Sequence, residues 1–176
     1  MRNLNLITLG VCLLTLAGCS AAAKDGIGQI EAEIGGEDYH GITLGKTSEH
    51  AASAELMTMG PMTMVSMQAH DLDTGGIMDN VVNLKVSLMG ASANAQIIEA
   101  EVSYWPEGMG SPFYISTGAN VPLSIEWDRL EVGEEPFAAG SFSGELCLQA
   151  DFYTPADTTN CKSITGTFSS ALVVRN

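Results

Sequence analysis

From residue 28 to the C-terminus the chain alternates apolar and polar side chains with a period of two, and no long segment carries the 3.6-residue period of an amphipathic helix. Successive side chains of a strand point to opposite faces, so this alternation predicts strands with one buried and one solvated side. In QIEAEIGG, Ile30, Ala32 and Ile34 share one face, Glu31 and Glu33 take the other, and Gly35-Gly36 supplies a turn. By the same pattern VVNLKVSLM turns Val82, Leu84, Val86 and Leu88 inward, and IIEAEVSYW turns Ile98, Ala100 and Val102 inward. VPLSIEW alternates Val121, Leu123, Ile125 and Trp127 with polar neighbours, and Pro122 marks an edge or a strand start. Turn-rich segments at 71–76, 105–112 and 131–136 separate these runs. The fold expected is all-β, a single antiparallel two-layer β-sandwich or partly open barrel of about eight or nine strands covering residues 28–176.

The last two runs are legible as a pair. GSFSGELC (140–147) and CKSITGTFSS (161–170) share a Gly-x-Phe-Ser core and are expected to form an antiparallel hairpin. Setting Phe142 opposite Phe168 places Gly144 opposite Gly166 and leaves Cys147 one diagonal step from Cys161, on the face away from the phenylalanines. A bulge at the loop end would close that gap and allow a Cys147–Cys161 disulfide.

The N-terminus, MRNLNLITLGVCLLTLAGCS, has one basic residue, Arg2, an apolar run over 6–16, and small residues before Cys19. This is the pattern of an export signal, too short to span a bilayer as an anchor. The tetrad Leu16-Ala17-Gly18-Cys19 resembles the lipobox of bacterial lipoproteins. The resemblance implies that residues 1–18 are removed, that Cys19 is acylated and becomes the first residue of the mature chain, and that residues 19–27 are a short tether reaching at most about 30 Å. Ser20 after the cysteine implies sorting to the outer membrane, so the expected location is the bacterial cell envelope, lipid-anchored.

Cys12 leaves with the signal and Cys19 carries lipid, which makes Cys147 and Cys161 the natural pair in an oxidising compartment. Without Arg2 the chain keeps six basic against twenty-one acidic side chains. Such a surface repels nucleic acid and anionic headgroups, so the membrane is held through the lipid alone. The pieces IEAEIGGEDYHG, PMTMVSMQAHDLDTGG and the Gly-x-Phe-Ser hairpin resemble small secreted or lipid-anchored bacterial β-sandwich domains of unknown function that end in a pair of "GtFs" strands. Tyr39 or His40 stands where that pattern has a tryptophan. The resemblance implies the fold and no catalytic residues.

Catalytic constellations are missing from the pattern. The histidines are His40, His50 and His70, no serine sits in a strand-turn-helix elbow, and the two domain cysteines are accounted for as a bridge. Glu31/Glu33 and Glu99/Glu101 alternate with apolar neighbours and read as solvated outer faces, not as paired acid and base. Asp71, Asp73 and Asp79 have calcium-loop spacing but lack the later glutamate, so they read as a turn. No phosphate loop, CxxC pair or HExxH is present. A non-catalytic module is expected.

Two candidate binding sites stand out. ELMTMGPMTMVSMQAHD contains Met57, Met59, Met62, Met64 and Met67, followed by His70. Thioethers are soft ligands that select copper(I), and the spacing resembles the methionine motifs of periplasmic copper carriers. Strand alternation puts Met62, Met64 and His70 on one face and Met67 on the other, and brings Met57 and Met59 to Met62 and Met64 only if the chain reverses at Gly60-Pro61. Two readings stay open: a copper(I) site of Met57, Met59, Met62 and Met64, or flexible side chains filling gaps between the sheets.

The second candidate is an aromatic patch, Tyr104, Trp105, Phe113 and Tyr114, flanking the 105–112 turn. It would contact a protein or glycan ligand, or else form a corner of the core. Recognition is expected in loops at 45–60, 105–112 and 150–160. The function expected is a non-catalytic, membrane-anchored binding or structural module, or alternatively a copper(I)-binding protein.

Overall fold

The computed structural model describes residues 26–48, 51–74 and 76–175. The signal sequence, Cys19 and residues 20–25 of the tether lie outside the described residues, as does His50. The chain is all-β as its alternation indicates, with strands β1 (Gly26–Ile34), β2 (Glu37–Leu44), β3 (Ala54–Met59), β4 (Met62–His70), β5 (Val81–Met89), β6 (Gln96–Trp105), β7 (Phe113–Ile115), β8 (Ser124–Glu131), β9 (Phe137–Gln149), β10 (Asp157–Ala171) and β11 (Val173–Val174). One 3-10 turn, Leu72–Thr74, interrupts them. The count exceeds the expectation because β3 lies inside a segment expected to be loop, and because β7 and β11 have only 3 and 2 residues.

The strands form one hydrogen-bonded sheet that closes on itself. One broad half runs β8-β9-β10-β1-β2 and the other β11-β3-β4-β5-β6. Two short seams join them. Ile42 of β2 pairs with His70 of β4 on one side, and β7 bridges β6 to β9 on the other. The broad halves and narrow seams give a flattened ring rather than an evenly staved barrel. All pairings are antiparallel except β11 with β3, which is parallel.

Inward-facing residues of both halves merge into one core. Ile30, Val65, Met67, Leu84, Leu88, Val102, Phe142, Leu146, Ile164 and Phe168 all belong to it. Val82, Leu84, Val86 and Leu88 face inward as their alternation predicts. Ile98 does not: the β5–β6 register shifts between Ser87 and Leu88, so Ile97 packs on the core and Ile98 is 49% exposed. Such a bulge adds one residue and flips the phase of the alternation behind it.

Tyr39 ties the corner where the two halves meet. It is buried, and its hydroxyl donates to Ala69 O (2.8 Å) and accepts from Val82 N (3.2 Å), so one side chain of β2 satisfies backbone groups on β4 and β5. Burial raises its pKa well above the ordinary tyrosine value, which keeps the hydroxyl protonated as a donor. Gly41 leaves room for it, since a Cβ there would collide with the Tyr39 ring and hydroxyl. Tyr39→Phe strands the Val82 N–H without that acceptor and should cost about 1–3 kcal/mol in urea unfolding. An unchanged midpoint would show that the corner is held by packing alone.

The terminal hairpin forms in a register two residues from the expected one. Phe142 lies opposite Gly166 and Phe168 opposite Gly140, not Phe142 opposite Phe168. The faces are unchanged, and Cys147 now falls directly opposite Cys161. The disulfide therefore forms across one rung of the ladder, with Cα atoms 4.0 Å apart, and no bulge is needed at the cysteines themselves.

Candidate metal centre

The turn at Gly60-Pro61 decides where the methionine sulfurs go. Gly60 has φ +60°, which a side chain disfavours, and proline follows with its fixed negative φ, a combination that suits a two-residue hairpin. Met59 then pairs with Met62, Thr58 with Thr63 and Met57 with Met64. Thr63, Val65 and Met67 are buried, so this side of β4 faces the core and the Met62/Met64 side faces out. Directly opposed residues share a face, hence Met57, Met59, Met62 and Met64 all lie on the outer surface. Met57, Met62 and Met64 are half-buried and Met59 is 51% exposed. Met67 alone of the five is core, with 0% exposure.

His70 is not part of this group. It sits at the far end of β4, eight residues from Met62, roughly 26 Å along the strand. One of its ring nitrogens is engaged by the carbonyl of Ile77. The Gly60-Pro61 turn is held to the next strand by Gly90 N donating to Pro61 O at 2.9 Å. Beyond the second methionine pair the same face carries Glu55, Ser66 and Lys85 in one row, and Arg175 reaches over to Glu55 at 3.3 Å. Met57, Met64, Lys85 and Arg175 border a hollow of about 230 Å³. Each thioether is a neutral, soft donor that suits a soft monovalent ion better than a hard or divalent one, and Glu55, Lys85 and Arg175 are the charged groups bordering the hollow beside Met57 and Met64.

The aromatic residues divide between two faces. Tyr104 and Tyr114 stack at 6.3 Å and pack on the main core, and Tyr104 donates its hydroxyl to Asn80 Oδ1 at 2.7 Å. Burial raises the Tyr104 pKa. Trp105 and Phe113 turn the other way, stack at 4.0 Å, and form a small second core with Val81 and Ile115. Trp105 Nε1 donates to Ser103 Oγ at 2.9 Å. Phe152, from the loop closed by the disulfide, lies over both rings at 5.8 and 5.3 Å. The four residues named from sequence thus make two buried or half-buried groups, and the exposed aromatic side chains beside them are Phe152 and Tyr153, the latter 96% exposed. Asp151 shapes that loop by accepting from the backbone N–H of Tyr153 and Thr154, which holds its carboxyl below the usual aspartate range.

The carboxylate pairs sit on outer faces. Glu31, Glu33 and Glu99 are exposed and Glu101 half-buried, with His40 Nδ1 3.5 Å from Glu31. Asp71 accepts from Asp73 N and from Asn80 Nδ2, an arrangement that organises the turn. Among the described residues, the one close group of three His, Cys, Asp or Glu ligands is Glu145, Cys147 and Cys161, and its two sulfurs are bonded to each other. No helix among the described residues is long and apolar enough to cross a membrane. No protein-family model, curated protein or solved structure matches the chain.

Proposed function

We propose that this chain is a non-catalytic, lipid-anchored module of the bacterial envelope whose ligand is copper(I), bound by Met57, Met59, Met62 and Met64. The observation that carries the reading is the β3–β4 register, which gathers four thioethers on one solvent-facing surface instead of burying them between the sheets. Methionine filling irregular core gaps accounts for Met67 but not for side chains on the outer face. The net negative charge of the chain favours a cationic ligand at long range, with Lys85 and Arg175 beside Met57 and Met64 as local exceptions, and the lipobox supports an anchored, exported location in which copper(I) would be met outside the cytoplasm.

The test is a copper(I) titration of the full chain in detergent, in competition with a chromophoric copper(I) chelator. Its partner is the variant Met57→Leu/Met59→Leu/Met62→Leu/Met64→Leu. Leucine conserves volume and hydrophobicity, so the hairpin is retained. Binding should weaken more than about 100-fold, beyond the range seen when only the surroundings of a metal's ligands are changed. Equal, weak binding by both proteins would remove copper from the account and leave a display module. Its recognition element would then be the disulfide-closed loop with Tyr153 at its surface.

A further inference from the structure

We propose that Met89 of β5 completes the ion site, so that the ion is held by a row of three thioethers, Met59, Met62 and Met89, in a sulfur-only site for a soft monovalent cation whose affinity does not change with pH. This rests on the copper(I) reading and narrows it: of the four thioethers named there Met59 and Met62 hold the ion together with Met89, and Met57 and Met64 stand in the next row. Met62 pairs with Met59 on one side and with Met89 on the other, so the three occupy one rung across three adjacent strands. Leu88 is fully buried, which turns Met89 outward, and Met89 is 47% exposed. Neighbouring strands lie about 4.8 Å apart and directly opposed Cβ atoms about 5 Å apart. Three unbranched side chains with three rotatable bonds each can bring their sulfurs to a single ion over the central strand. The Gly90 N to Pro61 O hydrogen bond fixes the end of β5 against the hairpin and so sets this rung.

The adjoining row explains why three ligands come from this rung and not the next. There Met57 and Met64 are followed on β5 by Ser87, so only two sulfurs are available, and they serve as a neighbouring pair. On β6 the residue opposite Met89 is Gln96. The charged groups on this face stand in other rows: Glu55 on β3, Lys85 on β5, Glu99 and Glu101 on β6, and Arg175 at the chain end. Thiolate and imidazole sites release protons when a metal binds and therefore weaken as pH falls. A thioether ligand has no proton to release, so none of the three ligands of the rung titrates between pH 5.5 and 7.5.

The experiment compares the full chain in detergent with Met89→Leu and with Met109→Leu, an exposed methionine whose sulfur lies by Gln68, six residues along β4 from Met62. Copper(I), and silver(I) as its air-stable analogue, are titrated at pH 5.5 and 7.5. Met89→Leu should weaken binding at least about 10-fold, Met109→Leu should leave it unchanged, and the wild-type affinity should vary less than about 2-fold between the two pH values. Tight wild-type binding that Met89→Leu leaves intact overturns the three-sulfur rung while the four-methionine site stands. A roughly 10-fold loss at pH 5.5 means that a titrating ligand is present and overturns it equally. No binding by the wild type overturns both.

Discussion

Gly166→Ala is expected to destabilise the domain by about 3 kcal/mol, the upper end of what one inserted methyl group costs in a packed interior. β10 lies between β1 and β9, and a Cβ at Gly166 would stand 2.5 Å from the Glu31 carbonyl oxygen, 2.7 Å from Phe142 Cζ and 2.8 Å from Ala32 Cβ. Two of those atoms belong to the β1 backbone or its first side-chain carbon and cannot swing aside, so relief requires β1 and β10 to move apart. The reciprocal pair behaves alike. A Cβ at Gly140 would collide with the Glu126 carbonyl oxygen and stand 2.8 Å from Phe168 Cζ. Each phenylalanine ring thus lies over the glycine of the opposite strand, a cross-strand pairing that substitutes aromatic cover for a missing side chain. Gly110 is the control, with nothing within 4 Å of the point where its new methyl group would stand, and Gly110→Ala should change the urea midpoint little. A Gly166→Ala loss under about 0.5 kcal/mol, the size of an ordinary surface change, would mean that the sheet adjusts and that the glycines are not required by close approach.

That Gly–Phe pairing is also why the register was not legible from the sequence. Phe142 opposite Phe168 satisfies the shared Gly-x-Phe-Ser pattern equally well by eye, and period-two alternation cannot choose between registers that keep every residue on the same face. The choice is made by three-dimensional fit, ring over glycine, and its consequence is the direct opposition of Cys147 and Cys161. Alternation was informative where one face is buried and the ladder regular, as at residues 82–88. It failed at Ile98, where a bulge inserts a residue, and it was weak in β3, whose AELMTM has no β-branched or aromatic residue except Thr58.

The candidate site was half legible for the same reason. Each strand's methionines could be assigned to a face from spacing, but their convergence needed the two-residue turn at Gly60-Pro61, for which glycine at the first turn position was the available signal. Met89 is separated in sequence from the other thioethers of its rung by most of β4, the following loop and β5, and no local pattern connects it to them. Likewise nothing near Trp105 in sequence indicates that Phe152 covers it.

Removing the disulfide, as Cys147→Ala/Cys161→Ala, is expected to cost about 3 kcal/mol in the chain-entropy treatment of a loop of this size, with a fall in Tm of roughly 6–12 °C for a domain of this length. The bridge has sequence separation 14 and marks the last regular rung between β9 and β10. Past it the register breaks, and Asp157 with Leu148 is the remaining pair. What the bridge encloses is the segment that brings Phe152 onto Trp105 and Phe113 and leaves Tyr153 in solvent. Without the covalent link the unfolded chain gains the freedom of an open loop, and the folded chain loses the constraint that keeps Phe152 seated. The loss should therefore be seen twice, as a lower Tm and as a shift of tryptophan emission to longer wavelength below the transition, when water reaches Trp105. Dithiothreitol should reproduce both effects in the wild type and neither in the alanine variant. A Tm lowered with unchanged emission would place the whole effect in the unfolded state, and an unchanged Tm would show that the stacked rings and the Asp151 turn hold the loop unaided.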